Sequence, residues 1–385
     1  MKTLERIPVR SPASVAVFRH ILSHGPLGRV DVARATHLSA AAVTKAVTPL
    51  IATGFVVESV GPRAVTTVGR PVNPLVVSPD RASIVGVKIT PEASYGILTD
   101  LAGGEVATTQ IKHDSSRVDD VLAAVNEIVS RLRTSARNGI VDGLGVTASG
   151  DIDRLTGIVR SSHRLGWSQV PLKKLLEAET GLPVTIDNDV RALTTLEWLF
   201  GAGRNAESLA VVTIGAGIGC GLILNGGVVR GAHGVSGEIG HLPLARNDLT
   251  CSCGRSGCVE TIASTSAILG AVRGAGHDEI GTIEDASRLA LEGDAAATHA
   301  FAEAGRVIGA ALATLANLVG PQTIIIAGEG VTEYDLYARH LRDEFSSHAF
   351  GAALDCEIIL KPHTFNDWAR GAAVSVIEEI ASGTS

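Results

Sequence analysis

Residues 237–260 read GEIGHLPLARNDLTCSCGRSGCVE, and three of the chain's five cysteines fall within eight residues of this stretch. A histidine stands ten positions before the first of them. His241, Cys251, Cys253 and Cys258 offer one nitrogen and three sulfurs, a donor set suited to tetrahedral Zn²⁺. Four protein ligands leave no open position for water, so such an ion is expected to hold structure and not to perform chemistry. Gly254 and Gly257 let the short loop fold back on itself. The alternative is a cluster of reduced thiols with no ion. Cys220 and Cys356 lie apart and read as ordinary buried thiols.

Working outward, 385 residues are enough for two or three domains. The first 25 residues hold no apolar block followed by a small-residue cleavage site, so no secretory signal is expected. The most apolar stretch, 308–326, is broken by Thr314, Asn317, Gly320, Pro321 and Gln322, and no membrane span is expected. An odd number of cysteines, clustered, argues against a disulfide framework and for a reducing cytoplasm. Charge is uneven. Residues 1–80 carry nine Lys/Arg against four Asp/Glu, while the remainder carries 24 basic and 36 acidic residues. A basic head on an acidic body points to a polyanionic partner for the head.

The head has matching periodicity. Val17, Ile21 and Leu22 recur at helical spacing until His24-Gly25-Pro26 ends the run. A second short helix fits 29–36. After a tight turn, Ser39 is a natural N-cap for a third helix that turns Val43, Val47 and Leu50 inward and closes at Gly54. Two β-prone runs follow, 55–58 and 73–77, separated by a Gly/Pro-rich loop carrying Arg63 and Arg70. This is the layout of a winged helix-turn-helix. Its third helix would present Ser39, Ala40, Ala41, Thr44 and Lys45 to a DNA groove, with Arg70 reaching out from the wing. A three-helix module that docks a protein is the alternative.

Beyond Ser78-Pro79-Asp80 the chain alternates strands and helices, as an α/β body does. IVDGLGVTASG is a strand entering a glycine-bearing loop, and LPVTIDNDV is a strand ending in an acidic cluster. A long helix is expected at 302–319, before the buried strand TIIIAGEG. The run GAGIG at 215–219 looks superficially like a dinucleotide fingerprint. That motif needs a helix after its glycines; here they lead into another apolar strand, so a hairpin is expected.

Taken together, GVTASG at 145–150, GIVRSSHRLGW at 157–167, DNDVRA at 187–192, GEIGHLPL at 237–244 and CSCGRSGCVE at 251–260 resemble the ROK family of repressors, open reading frames and sugar kinases. GRP at 69–71 resembles the wing of its transcriptional repressors. The resemblance implies a winged helix-turn-helix over 1–78 and a two-lobed, actin/hexokinase-like body over 79–385. Lobe one would span about 79–190, with return of the C-terminal helix, and lobe two about 191–365. It also implies that Asn188, Asp189, Glu238, His241 and Glu260 bind sugar hydroxyls, with His241 using one ring nitrogen for zinc and the other for sugar.

A kinase of this family would use Asp189 as general base and would need a cradle for ATP. The cradle is damaged. Where such kinases have an Asp-x-Gly-Gly-Thr turn, this chain has Lys88-Ile89-Thr90-Pro91-Glu92, and the second phosphate loop is Gly215-Ala216-Gly217. The resulting expectation is a cytoplasmic, homodimeric or homotetrameric repressor without catalytic residues, holding structural zinc, reading a palindromic DNA operator and answering to a sugar. The alternative is a zinc-containing sugar kinase with a DNA-binding head.

Overall fold

The computed structural model describes residues 7–59, 73–113, 115–246 and 248–383, and divides the chain into two compact units. The first contains residues up to Arg204 together with the C-terminal helix, Phe365–Ser382. It opens with α1 (Pro12–His24), α2 (Arg29–Ala35) and α3 (Ala40–Ala52). Ser11 caps α1, and the Ser39 hydroxyl accepts from Ala42 N at 3.2 Å to cap α3. Strands β1 (Val56–Glu58) and β2 (Leu75–Val77) pair antiparallel, closing the head. Phe18 meets Phe55 edge-on at 6.4 Å over a core of Val17, Ile21, Val47 and Leu50. Each such buried side chain contributes about 1.5–3 kcal/mol. Arg63, Arg70 and the GRP segment lie outside the described residues.

The rest of the first unit contains β3 (Ser83–Ile89), β4 (Ala93–Asp100), β5 (Glu105–Lys112), α4 (Val118–Arg133) and β6 (Gly143–Ala148). Next come β7 (Asp151–Asp153), β8 (Ile158–Ser162), β9 (Trp167–Val170), α5 (Leu172–Thr180), β10 (Val184–Asn188) and α6 (Asp189–Phe200). Its main sheet has the order β10-β6-β3-β4-β5, and β7, β8 and β9 make a small sheet of their own. The C-terminal helix packs close on the main sheet because two strand positions lack side chains. A Cβ at Gly86 would lie 2.1 Å from the Ala369 carbonyl oxygen, and one at Gly145 would lie 2.0 Å from that of Ala372. On the same helix, Gly371 faces the Ala192 backbone of α6. That packing places α6 in the first unit. The unit therefore runs to Arg204, past the lobe boundary expected near 190.

The second unit holds β11 (Leu209–Ile214), β12 (Ile218–Leu224), β13 (Gly227–Val228), α7 (Glu260–Ala263), α8 (Thr265–Gly274) and α9 (Ile283–Leu291). It ends with α10 (Ala295–Val319), β14 (Thr323–Ala327), α11 (Tyr334–His348) and β15 (Glu357–Leu360). The sheet order is β13-β12-β11-β14-β15. As expected of a hairpin, β11 and β12 pair antiparallel through Gly215–Gly217, and no helix follows the glycines. The helix expected from 302 begins at Ala295, because Asp294 caps it by accepting from Ala297 N at 2.9 Å. Helix α10 is long and apolar enough to cross a bilayer, but 61% of its most apolar window is buried inside the protein, as befits a core helix.

Candidate functional site

In the second unit, the zinc-type residues converge. One ligand atom from each of His241, Cys251, Cys253 and Cys258 lies within 4.8 Å of all the others. Cys253 Sγ is 3.8 Å from Cys258 Sγ, and Cys251 Sγ is 3.7 Å from His241 Nδ1. Donors at about 2.3 Å from a tetrahedral centre stand about 3.8 Å apart, so these spacings fit a closed zinc site. The chain reaches this geometry locally. Cys251 N donates to Arg255 O at 2.7 Å, and Gly254 and Gly257 take φ values of +84° and +77°. Val259 N then donates to Leu242 O at 3.0 Å, latching the loop to the His241 turn. Burial and the neighbouring thiols push the Cys258 thiol up to about 12, while a backbone hydrogen bond at Arg255 lowers that of Cys253. Such a set of crowded sulfurs cannot ionise together without a cation.

Two of the expected sugar ligands adjoin this cluster. Glu260 begins α7, and its Oε2 lies 3.8 Å from His241 Nδ1. Its other oxygen would stand 2.8 Å from a Cβ at Gly217, so it reaches the hairpin turn as well. Glu238 is exposed, directly before the single helical turn Ile239–His241. Cys220 is fully enclosed, and burial, then the charge of Glu238, pushes its thiol up to about 12, consistent with a plain core residue.

The hairpin turn is itself engaged. The carboxylate of Glu329 accepts from Ala216 N at 3.0 Å, and a Cβ at Gly215 would collide with it at 2.3 Å. The backbone donor of this glycine turn therefore faces a side-chain anion from the chain's own Gly328-Glu329-Gly330 segment.

In the first unit, Asn188 and Asp189 stand where β10 passes into α6, but both are already partnered. Asn188 is the N-cap of α6: its Oδ1 accepts from Val190 N at 3.0 Å and Arg191 N at 3.2 Å. Its amide nitrogen donates to Gly150 O at 3.1 Å, tying the cap to the GVTASG loop. Asp189 is buried, and its Oδ2 forms an ion pair with Lys88 Nζ. The Lys88 ammonium also lies 5.2 Å from the centre of the Trp368 ring. By sequence alone Lys88 is only a departure from the phosphate turn; the fold makes it the partner of Asp189. Residues 88–92 end β3 and turn tightly into β4, with Thr90 Oγ1 donating to Ala93 O at 2.9 Å.

Beneath β10 lies a charged network that sequence reasoning missed. Arg154, on the β7–β8 turn, approaches Asp187 (3.7 Å), Glu378 (3.6 Å) and Glu379 (3.1 Å). Burial opposes its charge, but the three carboxylates prevail and raise its pKa. Asp187 also accepts from Arg191 Nε at 2.7 Å. The network's sequence trace is the acidic run at 187–189, which has one partner close by in Arg191 and the others, Arg154 and Lys88, far away in the chain.

On the head, every described member of the expected DNA-reading set is exposed: Ser39, Ala40, Ala41, Thr44 and Lys45 line one side of α3. Val43, Val47 and Leu50 are buried on the other.

With this geometry in place, comparison with known proteins identifies the class. The profile of the ROK family matches residues 84–379, and the chain belongs to that family. The putative xylose repressor of Caldicellulosiruptor sp. (strain Rt8B.4) is 29% identical over 355 residues, covering 87% of each chain. A crystal structure of a ROK family transcriptional regulator, described as a homologue of the Escherichia coli Mlc protein, matches with a TM-score of 0.79 at 28% identity, covering 96% of both chains. The ROK family glucokinase of Streptomyces griseus, in complex with glucose and AMPPNP, matches with a TM-score of 0.66 at 27% identity. That match covers 98% of the glucokinase but 76% of this chain.

Proposed function

We propose that this chain is a transcriptional regulator, acting as a repressor, that binds DNA through its head and answers to a sugar. The observation that carries this reading is the extent of the likeness. A ROK regulator is matched along nearly all of both chains, whereas the glucokinase leaves about a quarter of this chain unmatched. The exposed, Ser39-capped face of α3 would supply the groove-reading surface, and Arg70, outside the described residues, is the further proposed DNA contact. Two-fold symmetry of a homo-oligomer would make the operator palindromic. The cytoplasm is the compartment consistent with five cysteines and no described disulfide.

His241, Cys251, Cys253 and Cys258 would hold a structural Zn²⁺. The ion would fix His241 and Glu260, leaving the second ring nitrogen of His241 for a sugar hydroxyl. Glu238, Asn188 and Asp189 complete the proposed hydroxyl-binding set.

A sugar kinase is the second reading, favoured by the presence of Asp189. Two pairings argue against it. A general base must accept a proton from the attacked hydroxyl, yet Asp189 is paired with an ammonium. Nucleotide phosphate must approach the hairpin turn, yet Glu329 places a carboxylate there. A coupled ATP-turnover assay with D-glucose and D-xylose decides the matter. No turnover, with selection of a palindromic sequence from genomic fragments, is expected. Robust turnover would sink the non-enzymatic reading.

A further inference from the structure

We propose that Arg19 of α1 is the residue through which the Asn188–Asp189 site acts on the DNA-binding head. Arg19 is held by two elements of the body. Its guanidinium lies 5.0 Å from the centre of the Trp198 ring on α6, and Nη2 lies 3.5 Å from Glu378 on the C-terminal helix. Both holders lead back to the same place.

Helix α6 begins at Asp189 with Asn188 as its cap, and Trp198 sits near its other end. A rigid helix that shifts at its cap shifts at Trp198 too. The second route is electrostatic. Glu378 contacts Arg154 at 3.6 Å, and Arg154 contacts Asp187 at 3.7 Å. Asp187 in turn accepts from Asn188 N at 2.8 Å and from Arg191 Nε at 2.7 Å.

The intermediates are shielded from water: side-chain exposure is 3% for Asp187, 8% for Glu378 and 14% for Arg154. Charges in such surroundings interact strongly, and moving one member leaves another poorly compensated. Arg19, Arg154 and Arg191 balance Asp187, Glu378 and Glu379, so the set is neutral as it stands. A ligand drawing on the Asn188 amide competes with the α6 cap and with the strand end that carries Asp187. It changes the head only if it prefers one arrangement of this set over another.

This inference rests on the ligand-responsive regulator reading, and its test separates the two. Hydrogen exchange of α1 is measured in the full chain, in Arg19→Met, in Asp187→Asn and in the double variant. Arg19 and Asp187 are connected through Glu378 and Arg154. Independent distant sites have multiplicative effects on protection; coupled ones do not. The double variant is expected to depart from the product of the single effects by about fivefold. Simple multiplicativity overturns the proposal.

A second arm uses D-glucose and D-xylose. In the unaltered chain the bound sugar is expected to slow exchange in both 188–200 and 12–24; in Arg19→Met it should slow only the former. An α1 response in Arg19→Met equal to that of the unaltered chain also overturns the role of Arg19. If neither sugar protects 188–200 in the unaltered chain, the sugar reading loses its support while the variant cycle still decides Arg19.

Discussion

The zinc-type loop of the second unit and the buried ion pairs of the first are both polar clusters that bind a segment in place. They differ in how the chain assembles them. All four members of the loop lie within 18 consecutive residues, His241 to Cys258, and the turn glycines between the cysteines set their geometry. The ion pairs join Lys88 to Asp189, and Arg154 to Asp187 and Glu378, across distances of chain that only the folded sheet and the C-terminal helix close. The loop gathers donors that could hold a metal ion. The pairs offset a desolvation cost and leave a shape that tolerates no missing partner.

The largest effect that would break this contrast is at the metal. Replacing Cys253 with serine is expected to remove bound zinc altogether, because ligand exchange from thiolate to hydroxyl abolishes a soft donor in a closed site. Elemental analysis should fall from one zinc per chain to none, with a lowered melting temperature and loss of any sugar response. A variant that retains full zinc would show that the cluster is not a four-ligand site.

Next in size is the buried pair in the first unit. Lys88→Met leaves Asp189 charged, buried and without its ammonium, and is expected to cost about 3–5 kcal/mol. Adding Asp189→Asn should recover most of the loss, because replacing a buried pair by neutral groups is often close to neutral. Urea unfolding of both variants checks this. A Lys88→Met variant as stable as the unaltered chain would mean that the pair is solvated and Asp189 remains available as a base.

The same contrast explains what could be read before the fold was known. The His241–Cys258 donor cluster, the Ser39 cap, the buried face of α3 and the β11–β12 hairpin are set by neighbours close in the chain, so spacing and capping chemistry expose them. Lys88 shows the opposite case. From sequence it is a lysine in the wrong place for a phosphate turn; its partner, 101 residues on, is fixed by how β3 and β10 flank β6. The acid run at 187–189 was visible as a candidate site. Nothing in its spacing shows that Asp187 and Asp189 go to different arginine and lysine partners while Asn188 caps a helix. The placement of α6 is long-range in the same way: its backbone at Ala192 meets Gly371 of the C-terminal helix, a fit that no local spacing announces.

The hairpin turn at 215–217 lies between these cases, since its glycines are local and its occupant, Glu329, is 113 residues away. Glu329→Gly frees the Ala216 N–H and removes a negative charge. It is expected to strengthen pyrophosphate or AMPPNP binding by about tenfold, the scale of one charge-assisted hydrogen bond. Turnover should remain absent because Lys88 still pairs with Asp189. Isothermal titration of both chains gives the ratio; equal affinities would show that Glu329 does not guard the turn.

The smallest expected effect tests a signal that was local and still overlooked. Asp294 caps α10 through Ala297 N and pairs with His277 Nε2 at 3.0 Å, and its carboxyl is held below the usual range by that backbone hydrogen bond above all. A carboxyl whose pKa is depressed on folding stabilises the protein above its unfolded pKa, and that contribution disappears as pH falls through the folded value. The unaltered chain should therefore lose part of its stability on account of this group as pH falls below the ordinary aspartate value of about 4. Asp294→Asn keeps a good N-cap but has no proton to take up. It should unfold at nearly the same temperature as the unaltered chain near neutrality and fall less steeply in acid. Identical acid profiles would show that the cap works through geometry alone, and that the charge near His277 contributes nothing to tying the start of α10 to the segment between α8 and α9.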